Sequence, residues 1–282
     1  MRKALPFWVA LALLVVAGAA GAEEPCRHSA PRNVNLDGAA LKSLLLNLGS
    51  TDAHVRGVAG LSGIEVRGTA CASNPQWLDE LKIDTSRNGP EATVSVRTGN
   101  HNDAFNLFGF SRYAYMRLTV NVPLQLAVVL NSGSGDVVAE SLASLDFHSG
   151  SGDLRAYQIA GALTLDLGSG DVEARGVGSV DLRSTGSGDV SVSNVRGDVR
   201  AGHAGSGDLH FSGVQGGVSV GTVGSGDVRL ENIGGSIEVD RIGSGDLVVD
   251  DVAGSLQVDE DGSGDVSYHG VKGTVHLPGK GD

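Results

Sequence analysis

Two stretches in the C-terminal half decide the fold: residues 224–230 read GSGDVRL, and residues 243–249 read GSGDLVV. The tetrapeptide GSGD occurs eight times, with its aspartates spaced 17 to 19 residues apart. These aspartates are Asp136, Asp153, Asp171, Asp189, Asp208, Asp227, Asp246 and Asp265. A period near 20 residues is typical of a solenoid, in which each coil packs on the coil before it.

The residues between the motifs alternate as β-strands do. The residue after each aspartate is Val or Leu, and the residue six positions after it is Val, Leu or Ile. Polar side chains such as Arg155, His210 and Arg229 lie between them, and a second alternation follows, as in Ile237 and Val239. Such alternation buries one face of a strand. We therefore predict an all-β fold, a parallel β-helix or β-solenoid of eight or more coils with at least two strands each.

The N-terminus has the features of a secretory signal peptide. Two basic residues precede an apolar run over residues 5–16, and the small residues Ala20, Gly21 and Ala22 follow. This pattern predicts cleavage after Ala22 and export to the periplasm, the cell surface or the medium. An uncleaved membrane anchor over residues 4–22 is the alternative, and no later segment is expected to span a membrane.

We divide the chain into a signal peptide (1–22), a β-rich N-terminal capping region (23–130) and the GSGD solenoid (131–282). Six segments of the capping region alternate or contain β-forming residues. They are residues 44–48, 54–58, 64–66, 81–83, 93–96 and 115–122. Residues 49–52 read GSTD, which resembles a degenerate GSGD, so we expect the solenoid to begin here in diverged form.

Cys26 and Cys71 are the two cysteines of the chain. In an oxidising compartment an isolated pair is most simply a disulfide, so we predict that they are bonded. It would tie the start of the mature chain to the first β region.

An aromatic cluster precedes the repeats and has two possible roles. It either forms an exposed surface for a glycan or protein, or it is buried as a plug of the solenoid's N-terminal end. It comprises Phe105, Phe108, Phe110, Tyr113 and Tyr115, with His101 and Trp77 nearby.

Charge and motif content exclude several classes of function. The net charge of −12 argues against nucleic acid as a partner, because such binding depends on Lys and Arg neutralising phosphates. The outward-facing positions of successive coils, such as Glu140, Tyr157, Arg175 and Ser193, share no chemistry. We therefore expect no enzyme, and we rank a polysaccharide-active β-helix enzyme as a third hypothesis.

The GSGD motif itself has two interpretations. In the first it is a turn, whose glycines permit positive φ and whose aspartate accepts hydrogen bonds from backbone amides just beyond it. In the second, the eight stacked aspartates bind calcium, which would offset a repulsion of about 1 kcal/mol per neighbouring pair in water. The best local calcium site would be a group of acidic residues near the C-terminal end. The alternative role of this group is a charged end cap. It comprises Asp250, Asp251, Asp259, Glu260, Asp261 and Asp265.

A signal peptide, a β-rich lead-in and tandem GSGDV or GSGDL coils resemble the bacterial adhesin-like family called domain of unknown function 4097. The resemblance spans about residues 34–277. It implies a β-helical repeat protein of the cell envelope and supplies no catalytic residues. We therefore expect an exported adhesin or scaffold whose solenoid binds a protein or a glycan, with a calcium-dependent binding module as the alternative.

Overall fold

The computed structural model of the chain describes residues 26–99 and 113–279. The predicted signal peptide over residues 1–22 lies outside the described residues. So do His101, Phe105, Phe108 and Phe110 of the aromatic cluster.

The described residues form two twelve-stranded β-sheets that enclose one hydrophobic core. In spatial order, sheet A contains β1 (His28–Asp37), β4 (Gly63–Ala72), β7 (Ala114–Pro123), β3 (Asp52–Val58), β9 (Val137–Glu140), β11 (Leu154–Tyr157), β13 (Val172–Val177), β15 (Val190–Val195), β17 (Leu209–Val214), β19 (Val228–Ile233), β21 (Leu247–Val252) and β23 (Val266–Val271). Sheet B contains β24 (Val275–His276), β22 (Leu256–Asp261), β20 (Ile237–Ile242), β18 (Val218–Val223), β16 (Val199–Ala204), β14 (Ser179–Thr185), β12 (Ala162–Leu167), β10 (Ser144–Ser149), β8 (Ala127–Ser132), β2 (Ser43–Gly49), β6 (Glu91–Arg97) and β5 (Lys82–Asn88).

Each GSGD coil contributes one strand to each sheet. The chain runs along sheet B, turns at GSGD, runs along sheet A and turns back, so that successive strands of a sheet are parallel. Leu209 of β17, for example, pairs with Val228 of β19, and Val218 of β18 pairs with Ile237 of β20. The predicted parallel β-solenoid is confirmed, and its cross-section is a flattened, two-sided coil.

The core consists of the predicted aliphatic columns. The residue after the GSGD aspartate is buried in seven coils, from Val137 to Leu247, and the column six positions after the aspartate is buried from Leu142 to Val252. The last coil differs from this prediction: Tyr268 is 48% exposed, and Val266 is only partly buried. No described strand of sheet A lies beyond β23, so no further strand covers the core residues of this last coil.

The capping region begins the solenoid and closes its N-terminal end. Strands β2 and β3 pair in parallel with β8 and β9, and the predicted GSTD turn connects them, so the expected diverged coil is confirmed. The six predicted segments overlap β2 to β7. Strand β1, the antiparallel β1–β4–β7 and β5–β6 pairings, and a short 3-10 helix (Pro75–Asp79) were not predicted.

The predicted disulfide is confirmed. Cys26, which precedes β1, is bonded to Cys71 in β4, and their Cα atoms are 5.7 Å apart. The guanidinium of Arg32 in β1 also donates hydrogen bonds to the carbonyl oxygens of Leu78 (2.5 Å) and Leu81 (2.7 Å). The cap is thus fastened just before β1 and at the middle of β1.

The corner opposite GSGD has a backbone feature that the sequence analysis missed. In each of the eight coils the fifth residue after the aspartate has a positive φ, between 56° and 73°. These residues are Ser141, Gln158, Gly176, Asn194, Gly213, Asn232, Asp251 and Gly270. Gly, Asn and Asp tolerate this left-handed conformation better than other residues, whereas Ser and Gln seldom adopt it.

We predict that Phe211→Ala destabilises the protein by about 3 to 5 kcal/mol, because it leaves a cavity in the middle of the core. Tyr268→Ala is the matched control, since Tyr268 occupies the same column in the last coil but is half exposed. Urea unfolding monitored by circular dichroism measures both. Equal losses in the two variants would contradict the assignment of Phe211 to a closed core.

Candidate functional site

The eight GSGD aspartates form a hydrogen-bonded ladder along one corner of the solenoid. Asp52 of the GSTD turn begins it, because its Oδ1 accepts the backbone N–H of Asp136 at 3.1 Å. Each later aspartate does the same for the next coil: Asp189 accepts from Asp208 at 2.9 Å, and Asp208 accepts from Asp227 at 2.8 Å. The same bond recurs up to Asp246, which accepts from Asp265 at 2.9 Å.

The ladder changes the interpretation of the motif. The prediction that the aspartate bonds to amides just beyond it in its own turn is wrong, since the bonds run between coils. Each carboxylate from Asp136 to Asp246 accepts a backbone N–H of the next coil, and this contact stabilises the negative charge. Repulsion between neighbouring aspartates is therefore offset by the protein itself.

The glycines of the motif serve close packing rather than unusual dihedral angles. The prediction that they permit positive φ is wrong for the GSGD turns, since none of these glycines has a positive φ. Instead, a Cβ on the second glycine would collide with the coil below. On Gly207 it would lie 2.0 Å from the carbonyl oxygen of Gly188, and on Gly226 it would lie 2.0 Å from that of Gly207.

Buried hydroxyl groups support some of these turns from inside. The hydroxyls of Ser132, Ser149 and Thr185, each just before a GSGD motif, donate to the carbonyl oxygen of that motif's second glycine at 2.7 to 3.1 Å. All three side chains are buried. Other coils have an aliphatic residue, alanine or, in the last coil, Asp261 at this position, so no repeated pattern marks it in the sequence.

Calcium binding by the ladder stays a prediction. Oδ1 of each carboxylate from Asp136 to Asp246 already accepts a backbone N–H. Within residues 26–99 and 113–279, no three His, Cys, Asp or Glu side chains cluster closely enough to hold a metal ion.

The structure does not bring the predicted C-terminal acidic group together. Asp250 and Asp251 lie in β21 of sheet A, and Asp259, Glu260 and Asp261 lie in β22 of sheet B. Glu260 forms an ion pair with Arg241, and Asp250 lies 3.6 Å from Arg229. Asp265, the sixth member of the group, lies in the last GSGD turn between these two sheets.

The outer faces carry separate charged clusters. On sheet A, Arg229 donates to Glu231 at 2.6 Å, and the ring of His210 lies 3.2 Å from the same carboxylate. These two contacts hold the pKa of the Glu231 carboxyl below its ordinary value. On sheet B, His148 lies 3.2 Å from Asp146 and 3.6 Å from Asp166.

The described part of the aromatic cluster is half buried. Trp77 lies in the 3-10 helix, and the rings of Tyr113 and Tyr115 are 5.8 Å apart. The guanidinium of Arg117 lies 5.3 Å from the ring of Tyr115.

Residues 163–273, which contain most of the regular coils, match the family model described as Toastrack DUF4097. The predicted family resemblance is confirmed. In these matched coils the aspartate ladder and the glycine contacts recur without a break. No curated protein matches the chain in sequence.

Several solved structures are similar to the chain. A putative cell adhesion protein from Clostridium sporogenes is 11% identical, with 89% of this chain and 100% of that chain covered and a TM-score of 0.34. A putative lipid binding protein from Parabacteroides distasonis is 13% identical, with 89% and 98% covered and a TM-score of 0.41. A putative adhesin from Bacteroides fragilis is 14% identical, with 89% and 98% covered and a TM-score of 0.32.

The ladder predicts that Asp208→Ala destabilises the protein by about 1 to 2 kcal/mol, because the N–H of Asp227 loses its charged acceptor. Asp208→Asn keeps an acceptor oxygen and should cost less. Both values come from urea unfolding.

Asp265→Ala is the matched control, because Asp265 ends the ladder in the described part of the chain. Its own N–H still donates to Asp246 in the variant. A loss as large in Asp265→Ala as in Asp208→Ala would contradict the ladder account.

A calcium titration separates the two interpretations of GSGD. We expect residues 23–282 to unfold at the same temperature with calcium and with chelator, because backbone amides already stabilise the carboxylates. A cation that binds only the folded state would raise the midpoint. A rise that disappears when Asp208, Asp227 and Asp246 are all replaced by Asn would instead identify the ladder as a calcium site.

Proposed function

We propose that this protein is an exported, non-enzymatic module of the cell envelope that acts as an adhesin or scaffold. In this proposal the outer faces of the solenoid bind a protein or glycan partner. Export rests on the signal peptide predicted at residues 1–22. The disulfide between Cys26 and Cys71 supports it, because such bonds persist in oxidising compartments.

One observation carries the proposal: the repeated apolar residues, glycines and aspartates are used by the fold, and the outward residues of the strands do not repeat. The aliphatic columns fill the core, the glycines allow the coils to approach, and the aspartates join neighbouring coils. The outward column at the end of the sheet A strands has no single chemistry along its length. It reads Glu140, Tyr157, Arg175, Ser193, Ser212, Glu231, Asp250 and His269.

The solenoid also has the shape of a recognition surface. Twelve strands at about 4.8 Å spacing give each face a length of about 50 Å. Solenoids commonly present such extended surfaces to their partners. None of the helices in the described residues is long and apolar enough to cross a membrane.

A polysaccharide-active enzyme remains the third hypothesis, and the described side chains favour it less. Glycoside hydrolysis needs two carboxyl groups placed on either side of the scissile bond. On the outer faces, Glu231, Asp250 and Glu260 are each engaged with an arginine instead.

Beads coated with residues 23–282 test the proposal. We expect them to be retained under flow on at least one of three surfaces: mucin, an immobilised acidic polysaccharide, or purified bacterial cell-wall sacculi. Soluble residues 23–282 should compete for the same binding sites and reduce retention. Albumin-coated beads provide the control for nonspecific attachment.

Two results on the same surfaces would oppose the proposal. Failure of the beads to attach to any of them would oppose an adhesive role. Release of reducing or unsaturated sugars from the polysaccharide, lost when outer-face carboxylates are replaced, would indicate an enzyme instead.

A further inference from the structure

A cleft of about 460 Å³ lies on the edge of sheet A, beside the corner opposite GSGD. Its volume falls within the range of sites for small ligands. Its lining residues include Arg56, Glu140, Ser141, Tyr157, Gln158 and Arg175.

Two arginines stand at the ends of this cleft. Four successive strands place Arg56, Glu140, Tyr157 and Arg175 side by side in register. Three strand spacings separate the two arginines, which is about 14 Å. Their side chains are 61% and 63% exposed, so both guanidinium groups are accessible to a ligand.

The ion pairs of these arginines are long. Arg56 lies 4.0 Å from Glu140, and Arg175 lies 3.9 Å from Glu173. Arg229 on the same sheet, in contrast, donates a 2.6 Å hydrogen bond to Glu231. Guanidinium groups bind carboxylates best through two parallel hydrogen bonds, and neither long contact has that geometry. Arg56 and Arg175 can therefore reorient towards an anion.

Tyr157 stands between the arginines and supplies a partly buried ring with a polar hydroxyl. Tyrosine gives a large contact area together with a hydrogen-bonding group, and it loses little conformational freedom on binding. One face of a sugar ring can pack on it. Glu140, which lies 3.3 Å from His54, adds an acceptor for hydroxyl groups.

The backbone at the cleft is unusual within the repeat. At the positive-φ corner most coils use Gly, Asn or Asp, and one coil that lines the cleft uses Gly176, but two others there use Ser141 and Gln158. A left-handed conformation is strained for such residues, because their Cβ atoms come close to the backbone. Ser141 Oγ donates to Gln158 Oε1 at 3.1 Å, which fixes the amide with its NH2 group available as a donor.

We propose that this cleft binds an acidic saccharide, that is, a sugar bearing a carboxylate. The sugar ring packs on Tyr157, an arginine pairs with the carboxylate, and Gln158 and Glu140 bind hydroxyl groups. The site rests on the proposed function and specifies the class of partner. A polyphosphate or nucleic acid suits it less, because Glu140 would repel a dense negative charge inside the cleft.

Isothermal titration of residues 23–282 tests the site with trigalacturonic acid, a hyaluronan tetrasaccharide and sialyllactose. Maltotriose serves as the uncharged probe, and inorganic phosphate as the simple anion. We expect saturable binding of at least one acidic sugar, with no comparable binding of maltotriose or phosphate. Arg175→Ala, Arg56→Ala and Tyr157→Ala should each weaken that binding by about tenfold or more.

Two further variants make the test specific. Arg200→Ala removes an exposed arginine from β16 of sheet B and is the matched charge control, so it should leave binding unchanged. Gln158→Gly removes the amide and relieves the left-handed strain. We expect this variant to unfold at a temperature no lower than the unmodified protein, while its affinity for the sugar falls.

The outcomes separate this site from the proposed function. If no acidic sugar binds, or if the Arg56, Arg175 and Tyr157 variants bind as well as the unmodified protein, the site is overturned, whatever the coated beads do. Equal binding of phosphate or maltotriose would also overturn it. Acidic sugars that bind at the cleft while coated beads attach to no surface would support the site and oppose the adhesive role.

Discussion

The close approach of successive coils at the GSGD corner is the constraint on which the rest of the structure depends. The carbonyl oxygen of Gly188 occupies the space that a side chain on Gly207 would need. Because no side chain separates the coils there, the carboxylate of Asp189 reaches the N–H of Asp208 in the next coil. Parallel pairing in both sheets then follows with a fixed register on either side of the turn.

This constraint separates structural residues from residues available for function. The glycines, the aspartates and the aliphatic columns recur in each coil, whereas the outward positions of the strands vary from coil to coil. Arg56, Tyr157 and Arg175 can therefore occupy one outward column without disturbing the core beneath them. A ligand site can arise at any level of such a solenoid where neighbouring outward residues suit one another.

Features marked by residues that recur in every coil could be predicted from the sequence, and several features without such residues could not. Val228 and Ile233 were predicted as core because the same positions are aliphatic in every coil, and Asp52 was recognisable from its motif. Strand β1 was missed, since its sequence HSAPRNVNLD is polar and contains Pro31, which an edge strand tolerates. The positive-φ corner was not predicted, because residues as different as Gln158 and Gly213 occupy it. The cleft was not predicted either, because only strand pairing brings Arg56 beside the repeats.

Replacement of Gly207 by alanine tests the central constraint most directly, with Ser206→Ala as the control in the same turn. The added Cβ of Gly207→Ala would meet the Gly188 carbonyl, whereas the Ser206 side chain points to solvent. The account predicts that Gly207→Ala lowers the free energy of unfolding by at least about 2 kcal/mol, and that Ser206→Ala leaves it nearly unchanged. Equal stability of the two variants would contradict the view that close coil contact at GSGD determines this fold.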